Sequence, residues 1–393
     1  MYKLKMPVKW PVIILLFTVA FILSACGTSV ANSNWPGMTA GENGVVYVAF
    51  GPGIVAVDLN EEKQLWVYRP QESNNSLQFY AAPSVDRGQL VFGDYGASGG
   101  FISASVTVSV YALEELLSQN PVLAWSQSQI AQDRIIAQPL QLEDRVIVGT
   151  ADNFVVALAN QDGRPIWNDP FEAGHSIWGH PIEDDGVIFV PSLDKNVYAL
   201  DAETGEEIWQ SNVGGSVSDK LVMNGDLIYA GSFDKQVHAL DKATGASRWT
   251  ALAQAAVWGA PAYADGVVYF VDLDGNAFAV GAETGELRWE RPVAEYVVAA
   301  TVVDDGVVYV AAAGDSDIAP AERQGTLIAL SADTGEELWQ KQMPSPLFTT
   351  PVIIEDSIVV AMQNETGPLT LEIIDLSDPD RSWTFVPQVE DES

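Results

Sequence analysis

The chain has 393 residues and carries 19 Lys and Arg against 53 Asp and Glu, a net charge of −34 at neutral pH. A surface of that sign repels phosphate backbones and anionic lipid headgroups, which excludes nucleic-acid binding and attachment to lipid by charge. With 48% hydrophobic and 10% aromatic residues, 12 of them Trp, the chain can bury a large core, and a single Cys with three His leaves neither an internal disulfide nor a structural zinc site to expect.

In chain order, residues 1–25 come first: three lysines (Lys3, Lys5, Lys9) and then a 15-residue apolar run, Pro11–Ala25. A membrane-spanning helix needs about 20 apolar residues, so a basic start with a shorter run reads as a signal-peptide core. Leu23-Ser24-Ala25-Cys26 resembles the lipobox of bacterial lipoproteins, which implies cleavage before Cys26 and lipidation of its thiol. The competing reading is an uncleaved N-terminal anchor with an incidental Cys. Both place the body outside the cytoplasm. Residues 26–34 read as a lipidated Cys with a short polar tether.

From residue 35 onward the sequence repeats. The segments 186–209 and 226–249 share one plan: a Val-Ile-Phe or Leu-Ile-Tyr run, an Asp-Lys turn, Val-Tyr-Ala-Leu-Asp or Val-His-Ala-Leu-Asp, then Thr-Gly and a Trp. Copies end at Trp66, Trp125, Trp167, Trp209, Trp249, Trp289, Trp339 and Trp383, spaced 59, 42, 42, 40, 40, 50 and 44 residues apart. Repeats of roughly 40–50 residues with four short strands each are propeller blades. The predicted fold is therefore all-β, a single eight-bladed propeller of four-stranded antiparallel blades over 35–386, with an acidic tail at 387–393. In each blade strands A to D run from the axis outward. Trp35–Thr39 reads as strand A of blade one and Ser382–Val386 as strand D of blade eight, so every blade is complete and no strand is left for a clasp shared by the two termini. The tryptophans read as strand-D wedges between blades. Glu114–Ser118 reads as one helical turn.

The unit Val-Tyr-Ala-Leu-Asp-x-x-Thr-Gly-x-x-x-Trp resembles the tryptophan-docking repeat of the pyrroloquinoline-quinone (PQQ) propeller superfamily. That superfamily contains quinoprotein dehydrogenases and non-catalytic lipoproteins of the BamB-like kind. The first use a catalytic Asp, a calcium ion and usually a vicinal Cys-Cys disulfide. With one Cys the chain lacks that pair, so the resemblance implies neither PQQ nor calcium here. The BamB-like branch implies a non-enzymatic, monomeric lipoprotein scaffold. It would bind other proteins near a membrane, in an assembly complex, and sit at the outer membrane where the host has one and otherwise at the outer face of the cell membrane.

Candidate sites are few. Asp272-Leu-Asp274-Gly-Asn276 resembles the start of a calcium loop but aligns with the hairpin turns at 192–196 and 232–236. Asp315-Ser-Asp317 reads as a solvated loop. Gly93–Gly100 lacks the Lys-Ser/Thr ending of a phosphate loop and reads as an insertion. His238 occupies the Tyr position of strand C and reads as a core residue. The strand-A segments line the axis of a propeller, and Tyr80, Trp178, His180, Lys220, Trp258, Tyr296 and Phe348 lie at or beside equivalent positions there. They form a candidate funnel for a partner or a small ligand; the alternative is that these rings only fill the channel or pack between blades. A ligand-sensing or solute-binding propeller is the second function this sequence permits, and a PQQ dehydrogenase the third.

Overall fold

The computed structural model describes residues 35–70, 77–96, 108–118, 120–319, 322–363 and 368–388. The signal-peptide and lipidation readings, Cys26 included, fall outside these residues, as do Ala97–Gly100 and most of the acidic tail.

Eight four-stranded antiparallel sheets follow one another along the chain, each built from four consecutive strands. They form the ring of an eight-bladed propeller. Blade four is typical: Ile182–Asp184, Val187–Pro191, Asn196–Asp201 and Glu207–Asn212, from the axis outward. Blade one begins at Gly37–Ala40 and blade eight ends at Ser382–Phe385, so no blade borrows a strand from the other terminus. Six of the eight A–B connections are two-residue hairpins such as Asp185-Gly186, where both residues have positive φ, as the right-handed twist of the strands favours.

The core lies between blades. Each of its eight hydrophobic clusters is shared by two neighbouring blades, and the last joins Val359, Leu371 and Ile373 of blade eight to Val46, Val48 and Val55 of blade one. A four-stranded sheet has two apolar faces, and only a ring of such sheets covers both.

The repeat's consensus follows from these seams. The aromatic residue of strand B stands against the Trp of its own blade: Tyr47–Trp66, Phe189–Trp209, Tyr229–Trp249, Tyr269–Trp289 and Tyr309–Trp339 have ring centroids 5.7–6.0 Å apart. An Ala of strand C faces the indole, as Ala199 faces Trp209. The indole N–H then crosses to the next blade. Trp167 Nε1 donates to Ala202 O at 3.1 Å, Trp209 to Lys242 O at 3.1 Å, Trp249 to Ala282 O at 2.9 Å and Trp289 to Ala332 O at 2.8 Å. Trp66 and Trp125 donate likewise to Leu116 O and Asn160 O. The Thr-Gly turn receives the ring. Gly205 has φ +75°, and a Cβ there would lie 2.6 Å from the Trp167 indole. That Gly is needed twice over, for its backbone conformation and for the close approach. Asp201 holds the same turn, accepting the N–H of Glu203 and of Thr204 and the Thr204 hydroxyl; these bonds, led by the Thr204 N–H, keep its carboxyl below the usual range.

Two expectations change. Glu114–Ser118 is not helical: strand C of blade two runs to Glu114, Glu115 takes φ +55°, and a tight turn closes from Ser118 N–H to Glu115 O. Trp167 is not on a regular strand D, because blade three pairs only Phe171–Glu172 there. Asn168-Asp169-Pro170 adds two residues between Trp167 and the pairing that Trp209 reaches directly, and Pro170 has no N–H to give a ladder. The indole docks all the same.

Candidate functional site

The ladder register defines which residues share a level of the channel. Ile182 pairs Phe189 as Thr39 pairs Tyr47, Ser84 pairs Val91, Ala262 pairs Tyr269 and Val352 pairs Val359. Four residues upstream of each lie Trp178, Trp35, Tyr80, Trp258 and Phe348, so five of the eight equivalent positions are aromatic. The rings are partly spent on one another. Trp35 of blade one stacks on Phe348 of blade eight at 5.6 Å and meets Trp258 of blade six edge-on at 6.2 Å, while Phe233 of blade five touches Trp258 at 5.1 Å. Tyr80 is edge-on to Tyr95 at 5.1 Å, and its hydroxyl donates to Gln78 Oε1 at 2.9 Å. Tyr296 does not belong to this level: it aligns with Ser176, and its carbonyl accepts the N–H of Ala313 as that of Ser176 accepts the N–H of Leu193.

Two residues further along strand A the lining turns polar in blades three to five, with Gln138, His180 and Lys220. Gln138 Nε2 donates to Pro83 O at 2.9 Å, and His180 Nδ1–H donates to Gln138 O at 2.7 Å, so each side chain ties its blade to the preceding one. His180 is half-buried at the channel wall, but protein surrounds it. Loss of hydration, with the Lys220 charge adding to it, lowers its pKa from 6.5 to about 4. It is a neutral imidazole at pH 7. Asp219 beside Lys220 is committed to the backbone, its Oδ2 accepting the Ala260 N–H at 3.0 Å. Trp178 Nε1 is buried with no hydrogen-bond partner among the described residues.

The other candidates resolve as structure. Asp272 is fully buried and accepts the N–H groups of Gln254, Ala255 and Asn276 and the Asn276 side-chain amide, so its oxygens face donors and it organises a hairpin turn. Asp94 holds the same place in blade two, and burial raises its carboxyl to about 6. Asp315 accepts the N–H of Asp317 within an exposed loop. His238 is buried, its Nε2 2.9 Å from Asp234 Oδ2.

In the sequence Trp35 reads only as the start of a strand, although its place four residues before a position paired with an aromatic residue matches Trp178 and Trp258. Arg145 lies in no motif that marks it in the sequence. This buried guanidinium in blade three bonds Asp144, reaches Glu203 of blade four at 2.8 Å and donates to Ala202 O, the carbonyl that also receives the Trp167 indole. Hydrogen bonding to Asp144 raises its pKa still further. Lys242 pairs with Asp184, Arg291 donates to Thr334 O and Lys341 to Pro379 O. These four cations thus bind blade to blade, whereas Lys63, Arg164, Arg248 and Arg381 pair with acids of their own blade.

The model of the family described as outer membrane protein assembly factor BamB matches residues 23–176, 170–295, 234–320 and 301–392. Among solved structures, BamB from Moraxella catarrhalis is 18% identical, with 85% of this chain and 95% of that chain covered at a TM-score of 0.67. The computationally designed Ika8 protein is 16% identical (87% and 97% covered, TM-score 0.65), and a europium-containing methanol dehydrogenase is 13% identical (82% and 83% covered, TM-score 0.60). At these identities the likeness is one of fold. No curated protein matches the chain in sequence. With all but the first 22 residues and the last one matched, this chain belongs to the family of the outer membrane protein assembly factor BamB.

Proposed function

We propose that the protein is a non-enzymatic, lipid-anchored scaffold outside the cytoplasm that binds other proteins of a membrane-protein assembly complex, at the outer membrane where the host has one. The observation that carries this reading is the family match over residues 23–392. The seams support it. Eight complete blades, packed through hydrophobic seams of which six carry an indole bond, make a rigid disc, which presents loops without rearranging. Lipidation at Cys26 would hold the disc at the membrane. The channel wall also favours a scaffold over an oxidoreductase. The quinone cofactor of the related dehydrogenases carries several carboxylates, and the polar arc offers it one cation, Lys220, beside a neutral His180 and an Asp219 already bonded to Ala260. These residues do not fit that cofactor.

The test is solubilisation of membranes from the native host in mild detergent and capture of the tagged protein. Co-purification of a β-barrel assembly protein is expected, and Cys26→Ala should leave unlipidated precursor and lose the capture. Capture of no such protein, together with dye-linked alcohol oxidation after addition of PQQ and calcium, would overturn the reading.

A second reading, a propeller that takes a small solute or peptide in its channel, is favoured by the unpartnered Trp178 N–H. In that case Trp178→Ala with Trp258→Ala keeps the fold and abolishes binding, whereas a scaffold using its outer surface is indifferent to the pair.

A further inference from the structure

Every blade ends in an outer strand whose far edge pairs with nothing among the described residues. Such edges invite another strand, and proteins guard them with charges, bulges or shortness. Seven of these strands are guarded. They run for two to seven residues; Lys63, Glu172, Glu207, Arg248, Arg288 and Glu337 stand within six of them, and Ser382–Phe385 has only four residues. Blade two differs. Its outer strand, Val122–Ala131, is ten residues long and carries no charge in a chain with 53 acids. Val122 and Leu123 are exposed there, as are Ile208, Leu252, Leu287 and Leu338 on the guarded strands, so length and lack of charge are what set this strand apart. The register is regular from Trp125 to Ser128, opposite Ala112 to Ser109; the bulge before it, between Leu123 and Trp125, is the one that accompanies the Trp in other blades, and a second bulge closes the far end. The turn before the strand also borders a groove of about 620 Å³ between blades one and two, walled by Tyr47, Val85, Leu116 and Leu117.

We infer that the outer edge of Val122–Ser128 is a docking site for an extended segment of a partner protein, which adds to blade two as a fifth strand. This deepens the scaffold reading and rests on it. Charge selects the occupant. Acids bracket the neutral strand, with Glu114 and Glu115 before it and Asp133 and Asp152 beyond it; Glu42, Asp86 and Glu115 line the groove with one cation, Arg87, which is paired with Asp86. A second copy of this chain would bring the same −34 against itself. The fitting partner is a strand with a neutral, β-branched centre and Lys or Arg at both ends: backbone hydrogen bonds supply the affinity, and the flanking charges set its position.

The probe is the nonapeptide Lys-Lys-Val-Thr-Val-Thr-Val-Lys-Lys, fluorescently labelled, with a twin N-methylated at each of its five central amides so that neither of its edges can donate hydrogen bonds there. Anisotropy titrations use the full-length protein in detergent at 150 mM NaCl. The parent peptide should bind at least tenfold more tightly than its twin. Ser126→Lys with Ser128→Lys, both at exposed positions of the strand, should weaken it at least tenfold. Ser247→Lys with Thr250→Lys, the same charge change on the outer strand of blade five, should not. Absence of parent binding, equal affinity for the twin, or equal loss in the blade-five variant would overturn the inference. Absence of peptide binding while the assembly protein still co-purifies would sink this site and spare the scaffold; loss of the assembly protein while the peptide still binds at this edge would do the reverse.

Discussion

His180 shows how a channel residue reports its surroundings. Its Nδ1–H is fixed on Gln138 O, and its pKa is lowered to about 4 by loss of hydration, with Lys220 adding to the shift. The fold therefore resists a proton that the unfolded chain accepts near 6.5. The stabilisation from neutral His180 is complete above pH 6.5 and is lost as the pH falls to about 4, by up to about 3 kcal/mol. His180→Asn keeps a donor for Gln138 O and cannot titrate. Urea midpoints at pH 7 and pH 4.5 should differ more in the parent than in this variant, although the many carboxylates contribute to both. Equal differences would mean that the imidazole is as well hydrated in the fold as in the unfolded chain. The glycines of the Thr-Gly turns obey a stricter local rule: at Gly205 both φ and the Trp167 ring exclude a side chain, whereas at Gly186 only φ does.

At the scale of elements, the indole seams differ in quality. Six of the eight tryptophans donate to the next blade. Trp339 and Trp383 have no such bond among the described residues, and where Gly205 stands in blade four, blades eight and one have Pro379 and Glu62. Trp289→Phe leaves the Ala332 carbonyl without its indole partner and should cost about 2–3 kcal/mol, the hydrogen bond included. Trp383→Phe loses ring area alone and should cost about 1 kcal/mol. Chemical denaturation of the two variants checks this, and equal losses would show that ring area rather than the hydrogen bond sets the seam. Blade count, strand order and the absence of a shared closing strand were legible in the sequence, because the period of the Trp and the Thr-Gly turn is the packing rule itself. The break in blade three was not. Asn168-Asp169-Pro170 follows a well-placed Trp, and nothing local shows that the ladder skips there while the indole still docks. Trp35 was illegible for a different reason. Its partners, Phe348 and Trp258, lie over two hundred residues away, and only ring closure brings them together.

For the whole molecule, stability in a ring of repeats is close to a sum of seam contributions, with one seam special because the chain does not run through it. Here that seam joins blade eight to blade one. It has its hydrophobic cluster but neither the indole bond nor the Thr-Gly socket. Its polar tie lies just beyond the last strand: Gln64 Nε2 donates to Gln388 O at 3.1 Å, and Gln388 N–H donates to Gln64 Oε1 at 2.9 Å. One side-chain amide thus imitates two rungs of a ladder and does part of the work of a shared closing strand. Gln388 is exposed and Gln64 half-buried, so the pair contributes about 1 kcal/mol in total. The seam should accordingly open before the others. In native-state hydrogen exchange, Lys63–Tyr68 and Ser382–Phe385 should exchange faster than Glu207–Asn212 and Ser247–Leu252, and truncation after Val386 should accelerate the first pair alone. Gln64→Ala should act like the truncation and add nothing to it, since each removes the same two bonds. Uniform exchange across the outer strands, or additive effects of the two changes, would show that the ring is closed by its hydrophobic cluster and not by this pair.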